Sequence, residues 1–263
     1  MHDTRAVDLN CDLGESFGSY VLGLDEEVMQ HITSANIACG FHAGDPVTMQ
    51  KTVNLAVKQG VALGAHPGFP DLLGFGRREM QIAPAEATAY IIYQIGALGA
   101  FATAAGGLLQ HVKPHGALYN MAAKMPELAQ AIVKGISLVD RDLILVALAG
   151  SELYRAGKEA GLKVAGEVFA DRAYAADGSL VPRGKPGAMI KDPAVAALRV
   201  HRMVTEGKVT AITGEEVDVE ADTVCIHGDS PDAVLFAGKV KQQLVAAGIE
   251  VIPMGRKIAT ARE

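Results

Sequence analysis

The sequence contains no tryptophan, and aromatic residues make up only 5% of it. Cysteine is scarce: Cys11, Cys39 and Cys225 are an odd number, widely spaced, in apolar surroundings. That pattern excludes a disulfide scaffold and a zinc ribbon, and reads as buried thiols in a reducing, cytoplasmic compartment. No run of Lys or Arg forms a basic stripe, and the net charge is −6, which argues against nucleic-acid binding and against attraction to anionic lipid. Uncharged apolar stretches of about 18 residues are also missing, which argues against a membrane span. The segment that comes closest, Ile91–Leu109, carries Gln94 and several glycines and reads as a buried helix, a turn and a strand. The first residues, Met-His-Asp-Thr-Arg, lack the apolar core of a signal peptide.

What is present is a 263-residue chain, 49% hydrophobic and 21% charged, long enough to build a large core. Short apolar runs alternate with helical stretches. The runs Val7–Leu13, Asn36–Phe41, Val61–Ala65, Leu108–Val112, Leu143–Leu148, Lys163–Phe169, Thr223–Ile226 and Ile249–Ile252 are expected strands. Several are rich in Val, Ile and Leu with no polar face, as in a parallel sheet covered on both sides. Helices are expected at Pro46–Gln59, Pro84–Ala105, Met125–Leu138, Ser151–Ala160, Pro193–Glu206 and Pro231–Ala247. Asp45, Asp192 and Ser230 stand as caps before Pro-initiated helices, and Gly60, Gly161 and Gly248 stand where left-handed C-caps belong. Alternating β and α units of this number and length point to one (β/α)-barrel domain, residues 1–263, an irregular TIM-like barrel of seven or eight mostly parallel strands. The polar, Gly/Pro-rich segment Tyr174–Ile190 reads as a functional loop, and Lys208–Glu220 as a small hairpin.

Polar residues gather where the apolar runs end. Asp8, Asn10 and Asp12 share one strand face, and Glu15 follows. His42, His66, the series His111, Lys113 and His115, then Glu167, Asp171 and Arg172, then His227 and Asp229, come after or within separate runs. In a parallel barrel all strand C-termini open on one face, so these groups should converge on one mouth. Taken singly, each has an ordinary structural reading: Asp45 as a cap, a strand-end His as a hydrogen-bonded structural group. Taken together they would bury several charges with no function, which is costly. Asp12, His42 and His66 are ligand types a divalent ion accepts, although no close-spaced pair accompanies them.

Nucleotide cradles are not found. Gly178-Ser-Leu-Val-Pro-Arg-Gly184-Lys185-Pro186 has a glycine spacing one residue too long for a phosphate loop and Pro186 where a hydroxyl should hold magnesium. Gly74-Phe-Gly76 does not extend into a dinucleotide fingerprint. Arg77-Arg78 is read as an exposed pair on a loop.

Six blocks resemble the LamB/YcsF family, the A subunits of 5-oxoprolinase. They are Asp8-Leu-Asn-Cys-Asp-Leu-Gly-Glu-Ser16, Asn36-Ile-Ala-Cys-Gly-Phe-His-Ala-Gly-Asp45, Gly64-Ala-His-Pro-Gly-Phe-Pro-Asp71, His111-Val-Lys-Pro-His-Gly-Ala-Leu-Tyr-Asn120, Glu167-Val-Phe-Ala-Asp-Arg-Ala-Tyr174 and Ile226-His-Gly-Asp229. The resemblance runs in order from about Val7 to Met254. It implies an irregular barrel akin to glycoside hydrolases and polysaccharide deacetylases. It also implies ATP-dependent opening of 5-oxoproline to L-glutamate, with ATP as co-substrate, magnesium alongside it, and partner subunits B and C. On that reading Asp12 is the general base, with Glu15 second choice, and Lys113 stabilises charge developing on oxygen. His42, His66 and His115 position water or phosphate or hold a metal; Asn10 joins the substrate-binding set. Arg172 clamps the substrate carboxylate, oriented by Glu167 or Asp171, and His227 with Asp229 protonates the leaving nitrogen. Two other readings stay open on the residues alone: a metal-dependent deacetylase or amidohydrolase, and a lactam-binding subunit without catalysis.

Overall fold

The computed structural model describes residues 5–227 and 233–260. In chain order the elements are β1 (Ala6–Leu13), α1 (Asp25–Val28), β2 (Ser34–Ala38), α2 (Pro46–Gln59), β3 (Ala62–His66), α3 (Pro84–Ala104), β4 (Leu109–Val112), α4 (Gly116–Ala122), α5 (Pro126–Val139) and β5 (Ile144–Leu148). There follow α6 (Glu152–Glu159), β6 (Lys163–Phe169), α7 (Pro193–Glu206), β7 (Lys208–Thr210), β8 (Glu216–Asp218), β9 (Thr223–His227), α8 (Ala233–Ala246), β10 (Glu250–Val251) and α9 (Met254–Thr260).

Seven strands close a parallel barrel in the order β1-β2-β3-β4-β5-β6-β9, with β9 returning to pair with β1. The eighth expected strand is a two-residue piece, β10, that pairs with Ala6 and Val7 of β1 next to the stretch taken by β9. The run Asn36–Phe41 is displaced: β2 begins at Ser34 and ends at Ala38, because Gly40 adopts φ 86° and its N–H turns back to the Ala43 carbonyl (2.9 Å). Lys208–Glu220 forms the antiparallel β7–β8 hairpin.

The local chemistry explains the elements. Asp45 accepts from the N–H groups of Val47 and Thr48 (2.8 and 2.9 Å) ahead of Pro46, and Asp192 accepts from Ala194 (2.8 Å) ahead of Pro193. Gly60, Gly161 and Gly248 hold φ of 70°, 75° and 76°, as C-caps require. Ser230 and Pro231 lie outside the described residues. The 21-residue α3 is apolar and long enough to cross a membrane by composition, yet it is a barrel helix here. Its Gln94 bridges the N–H and carbonyl of Gly68 (2.9 and 3.0 Å), and Gly135 of α5 lets it approach closely, since a Cβ there would stand 2.8 Å from Ile91. Cys11, Cys39 and Cys225 are buried and free.

Strand alternation splits each strand between two environments. Val7, Leu9, Cys11 and Leu13 of β1 join the apolar clusters under the helices, while Asp8, Asn10 and Asp12 enter the barrel. That interior is polar and stacked in layers. At the bottom, Asp8 accepts from the hydroxyls of Thr33 (2.7 Å), Ser34 (2.6 Å) and Thr223. In the middle, Asn10 donates to Glu167 (3.1 Å) and Thr223 (2.7 Å), and Asn36 donates to Asn10 (2.7 Å). At the top stand Asp12, Lys113 and His66. Met254 of α9, packed with Ile144, Val146 and Ala165, supplies an apolar plug. Burying this many polar groups is tolerable because the hydrogen bonds run from layer to layer.

His111 belongs to the middle layer. Its ring lies across Gly64, where a Cβ would come 2.0 Å from Nε2, and Nε2 donates to Asn36 (2.8 Å). Burial, Lys113 and His66 push its pKa down to about 3. Folded, the ring stays neutral where the unfolded chain would take up a proton. Its contribution to stability is therefore complete above the ordinary imidazole pKa of about 6.5 and is lost as the pH falls toward 3. Denaturation midpoints measured across that range should fall steeply for the native chain and less steeply for His111→Gln; parallel curves would show that another group governs the decline.

Candidate active site

Each polar side chain at the mouth is placed by the end of a strand or the turn after it. Asp12 and Lys113 come from the ends of β1 and β4, with Glu15 one turn beyond Asp12. His42 sits in the turn after β2, His66 ends β3, and His115 immediately precedes α4. A cleft of about 520 Å³ opens above them. Asp12, Glu15, His66, Lys113 and His115 line its floor; Tyr119, Phe169 and Arg172 stand to one side, and Arg77, Ser179, Leu180 and Arg183 contribute from loops.

Lys113 is the centre of charge. It is 3% exposed, and its Nζ reaches Asp12 Oδ1 (3.0 Å), Glu167 Oε1 (2.9 Å), Asn10 Oδ1 (3.1 Å) and Cys225 Sγ (3.1 Å). Burial pulls its pKa down, but Asp12, Cys225 and Glu167 outweigh burial and hold it well above the usual ammonium value. Lys113 is thus a permanent cation, suited to stabilising negative charge and unsuited to acting as a base. Asp12 has its Oδ1 fixed by Lys113 and by Asn36 (2.9 Å), and its Oδ2 lies 3.3 Å from His66 Nε2. The side chain is 12% exposed, so the carboxylate meets the cleft.

Three imidazoles crowd beside it. His42 and His115 stack in parallel at 3.7 Å, and His66 meets both edge-on. Burial and the neighbouring rings hold His42 and His115 well below the ordinary imidazole pKa. Glycines make this packing achievable: a Cβ on Gly68 would stand 2.5 Å from His42 Nδ1, and one on Gly76 2.7 Å from His42 Cβ and 2.8 Å from His115 Cδ2. Phe75 is the one non-glycine residue with positive φ (54°) among the described residues, a strained conformation for an aromatic side chain. It directs the Phe75 carbonyl at His115 Nε2 (2.8 Å) and lays its ring against both His42 and His115.

The structure thus brings together Asp12, Glu15, His42, His66, Lys113 and His115. Asn10 and Glu167 lie one layer deeper and do not line the cleft; both contact the Lys113 ammonium. Arg172 does line the cleft, but its guanidinium donates to the Val181 carbonyl (2.7 Å), while Glu167 is committed to Lys113 and Asn10. Asp171 is buried behind the cleft wall, close enough to act on the Arg172 charge. His227 ends β9 in register with Asp12; its side chain and the whole of Asp229 lie outside the described residues. As for a metal, Glu15 joins His42, His66 and His115 in a group whose ligand atoms lie within 4.8 Å of one another, whereas Asp12 is engaged by Lys113.

Several cleft residues escape sequence reasoning. Arg77 and Arg78 are both exposed on their loop, as expected from the sequence, but their partners differ: Arg77 lies over the Phe75 ring (4.9 Å) and lines the cleft, while Arg78 is bound to Asp71. Arg183 comes from the Tyr174–Ile190 loop, whose polar composition is the available signal. Tyr119 lies on α4, against Glu167, and burial with that carboxylate raises its pKa; a helix starting at Gly116 carries no cap signal.

Comparison with known proteins agrees with this architecture. The family model described as LamB/YcsF family matches residues 7–259. A protein of Thermococcus onnurineus, named as the A subunit of 5-oxoprolinase, is 61% identical over 96% of this chain and 99% of its own length. One of Bacillus subtilis with the same name is 57% identical over 97% of this chain and 99% of its own. The crystal structure of a lactam utilization protein from Thermus thermophilus superposes with a TM-score of 0.90 at 51% identity, covering 94% of this chain and 99% of that one. With the family model spanning nearly every element of the barrel, the chain belongs to the LamB/YcsF family.

Proposed function

We propose that this chain is the lactam-opening component of a cytoplasmic 5-oxoprolinase, acting with subunits B and C to convert 5-oxoproline and ATP to L-glutamate. The observation that carries this reading is 57% and 61% identity, over nearly the whole chain, to two relatives named as the A subunit of 5-oxoprolinase. The cleft supplies the chemistry. A lactam carbonyl is a poor electrophile and ring closure is favourable, so hydrolysis needs coupling. Phosphorylation of the lactam oxygen makes the ring carbon electrophilic. Asp12 takes the proton of a water attacking that carbon, and Lys113 stabilises charge developing on oxygen. The C–N bond then breaks, nitrogen takes a proton, and the resulting acyl phosphate is hydrolysed by a second water to glutamate and phosphate. The leaving nitrogen's proton comes from the His227–Asp229 pair. Arg172, backed by Asp171, with Arg183 and Arg77 around the same cleft, binds the substrate carboxylate and the phosphoryl group. Since the chain shows no phosphate loop, subunits B and C carry out the phosphorylation with magnesium-bound ATP.

Glutamate release from 5-oxoproline and ATP tests this, with the chain alone and with subunits B and C added. Release in the mixture alone is the expected result. Release by the isolated chain would place ATP handling here, and no release from any mixture would overturn the assignment. Arg172→Lys tests the carboxylate clamp: losing a charge-assisted, forked contact should raise KM for 5-oxoproline about 10-fold or more while leaving kcat within a few-fold. A kcat loss at unchanged KM would contradict a binding role.

A further inference from the structure

The two nitrogens that meet at the floor of the cleft pose a problem of protons. His66 Nδ1 lies 2.7 Å from the Lys113 carbonyl, and His115 Nε2 lies 2.8 Å from the Phe75 carbonyl. A carbonyl oxygen only accepts, so each of these nitrogens carries the ring's N–H. In a neutral ring the other nitrogen is then a bare lone pair. Those two, His66 Nε2 and His115 Nδ1, face each other at 2.9 Å. Two lone pairs at that distance repel unless a cation lies between or beside them.

A single proton between the two rings would relieve that contact, with Asp12 Oδ2 3.3 Å from His66 Nε2 as its counter-charge, but it would do nothing for His42. His42 makes a second, independent demand. It is fully buried, and neither of its ring nitrogens has a hydrogen-bond partner. Its Nε2 lies 3.7 Å from Glu15 Oε1, which is 3.8 Å from His115 Nδ1. Three imidazoles and a carboxylate therefore surround one point, with ligand atoms within 4.8 Å of one another. Donors sharing one ion stand about 3–4 Å apart, so small side-chain rotations suffice to seat it. Anchoring the second N–H of a ligating imidazole on a backbone carbonyl is the arrangement that fixes metal-binding tautomers, and both His66 and His115 have it.

We infer that Glu15, His42, His66 and His115 form a seat for one divalent transition-metal ion of the zinc, cobalt or manganese class. Three nitrogens and one oxygen suit such an ion better than magnesium or calcium, which prefer all-oxygen shells. The seat is distinct from the Asp12–Lys113 pair and adjoins it, so the ion stands at the floor of the lactam cleft. When bound, it supplies Lewis-acid polarisation and a more acidic water. The inference concerns the same site as the proposed function but stands without it, because its readout is metal and not turnover.

The test uses the full chain purified without chelator, elemental analysis, and titration of the chelator-stripped protein with cobalt(II). Expected are about one transition-metal ion per chain and a visible cobalt band saturating at one equivalent. His42→Gln and Glu15→Gln should weaken cobalt binding by at least about 10-fold, with near-ultraviolet circular dichroism confirming the fold. A chain that retains no metal and develops no cobalt band would overturn the inference and leave a proton as the bridging cation. A band unmoved by both substitutions in folded protein would overturn the placement. Should the variants fail to fold, the native titration still decides.

Discussion

Lys113→Met should cut glutamate formation severely and weaken the fold at once. The ammonium is the shared partner of Asp12 and Glu167, buried to 3% exposure. Removing it leaves two carboxylates in the barrel with no cation between them. Breaking a buried ion pair from one side costs about 3–5 kcal/mol, because the abandoned charge stays desolvated. Loss of a preorganised charge at the reacting oxygen costs a further 10²–10³ in rate, roughly. The two effects separate in a double variant. Adding Glu167→Gln to Lys113→Met removes one abandoned charge, and the amide can still face Asn10, so much of the stability should return while activity does not. Chemical denaturation and the coupled glutamate assay read these independently. Activity returning together with stability would mean that Lys113 serves the fold alone.

Asp12→Asn carries the second large expectation. Asparagine keeps the shape, and its amide oxygen can keep the contacts from Lys113 and Asn36 now made by Oδ1. What is lost is the basic oxygen facing the cleft. General-base catalysis is worth about 10²–10⁴ in rate, so kcat in the assembled complex should fall by that factor while 5-oxoproline binding changes only a few-fold. A loss confined to affinity would make Asp12 a binding group and would favour a chain that holds the lactam without opening it.

Much of this site is legible in the sequence. Residues two apart on a strand share a face, so Asp8, Asn10 and Asp12 had to enter the barrel together, and His111, Lys113 and His115 alternate in the same way. Parallel strands bring their C-terminal ends to one mouth whatever their separation in the chain. Depth along a strand is not legible: nothing local says that Asn10 and Glu167 lie one layer beneath the cleft, supporting Lys113, while Asp12 reaches it. Loop geometry is not legible either. Arg77 and Arg78 look alike in sequence, and only the strained turn at Phe75 sends one to the cleft and the other to Asp71. The apolar run through Phe41 looks like strand because Cys39 and Phe41 are apolar, yet Gly40 turns the chain there and carries His42 into the site. The seven-stranded closure depends on β9 reaching both β6 and β1, a long-range pairing that periodicity does not encode.

The most direct measurement is the structure of this chain with 5-oxoproline bound. The lactam carbonyl carbon is expected beside Asp12 with its oxygen toward Lys113, and the substrate carboxylate at Arg172 or Arg183. A lactam bound outside the cleft, or seated in it with the ring carbonyl turned away from Asp12 and Lys113, would contradict ring opening by this barrel.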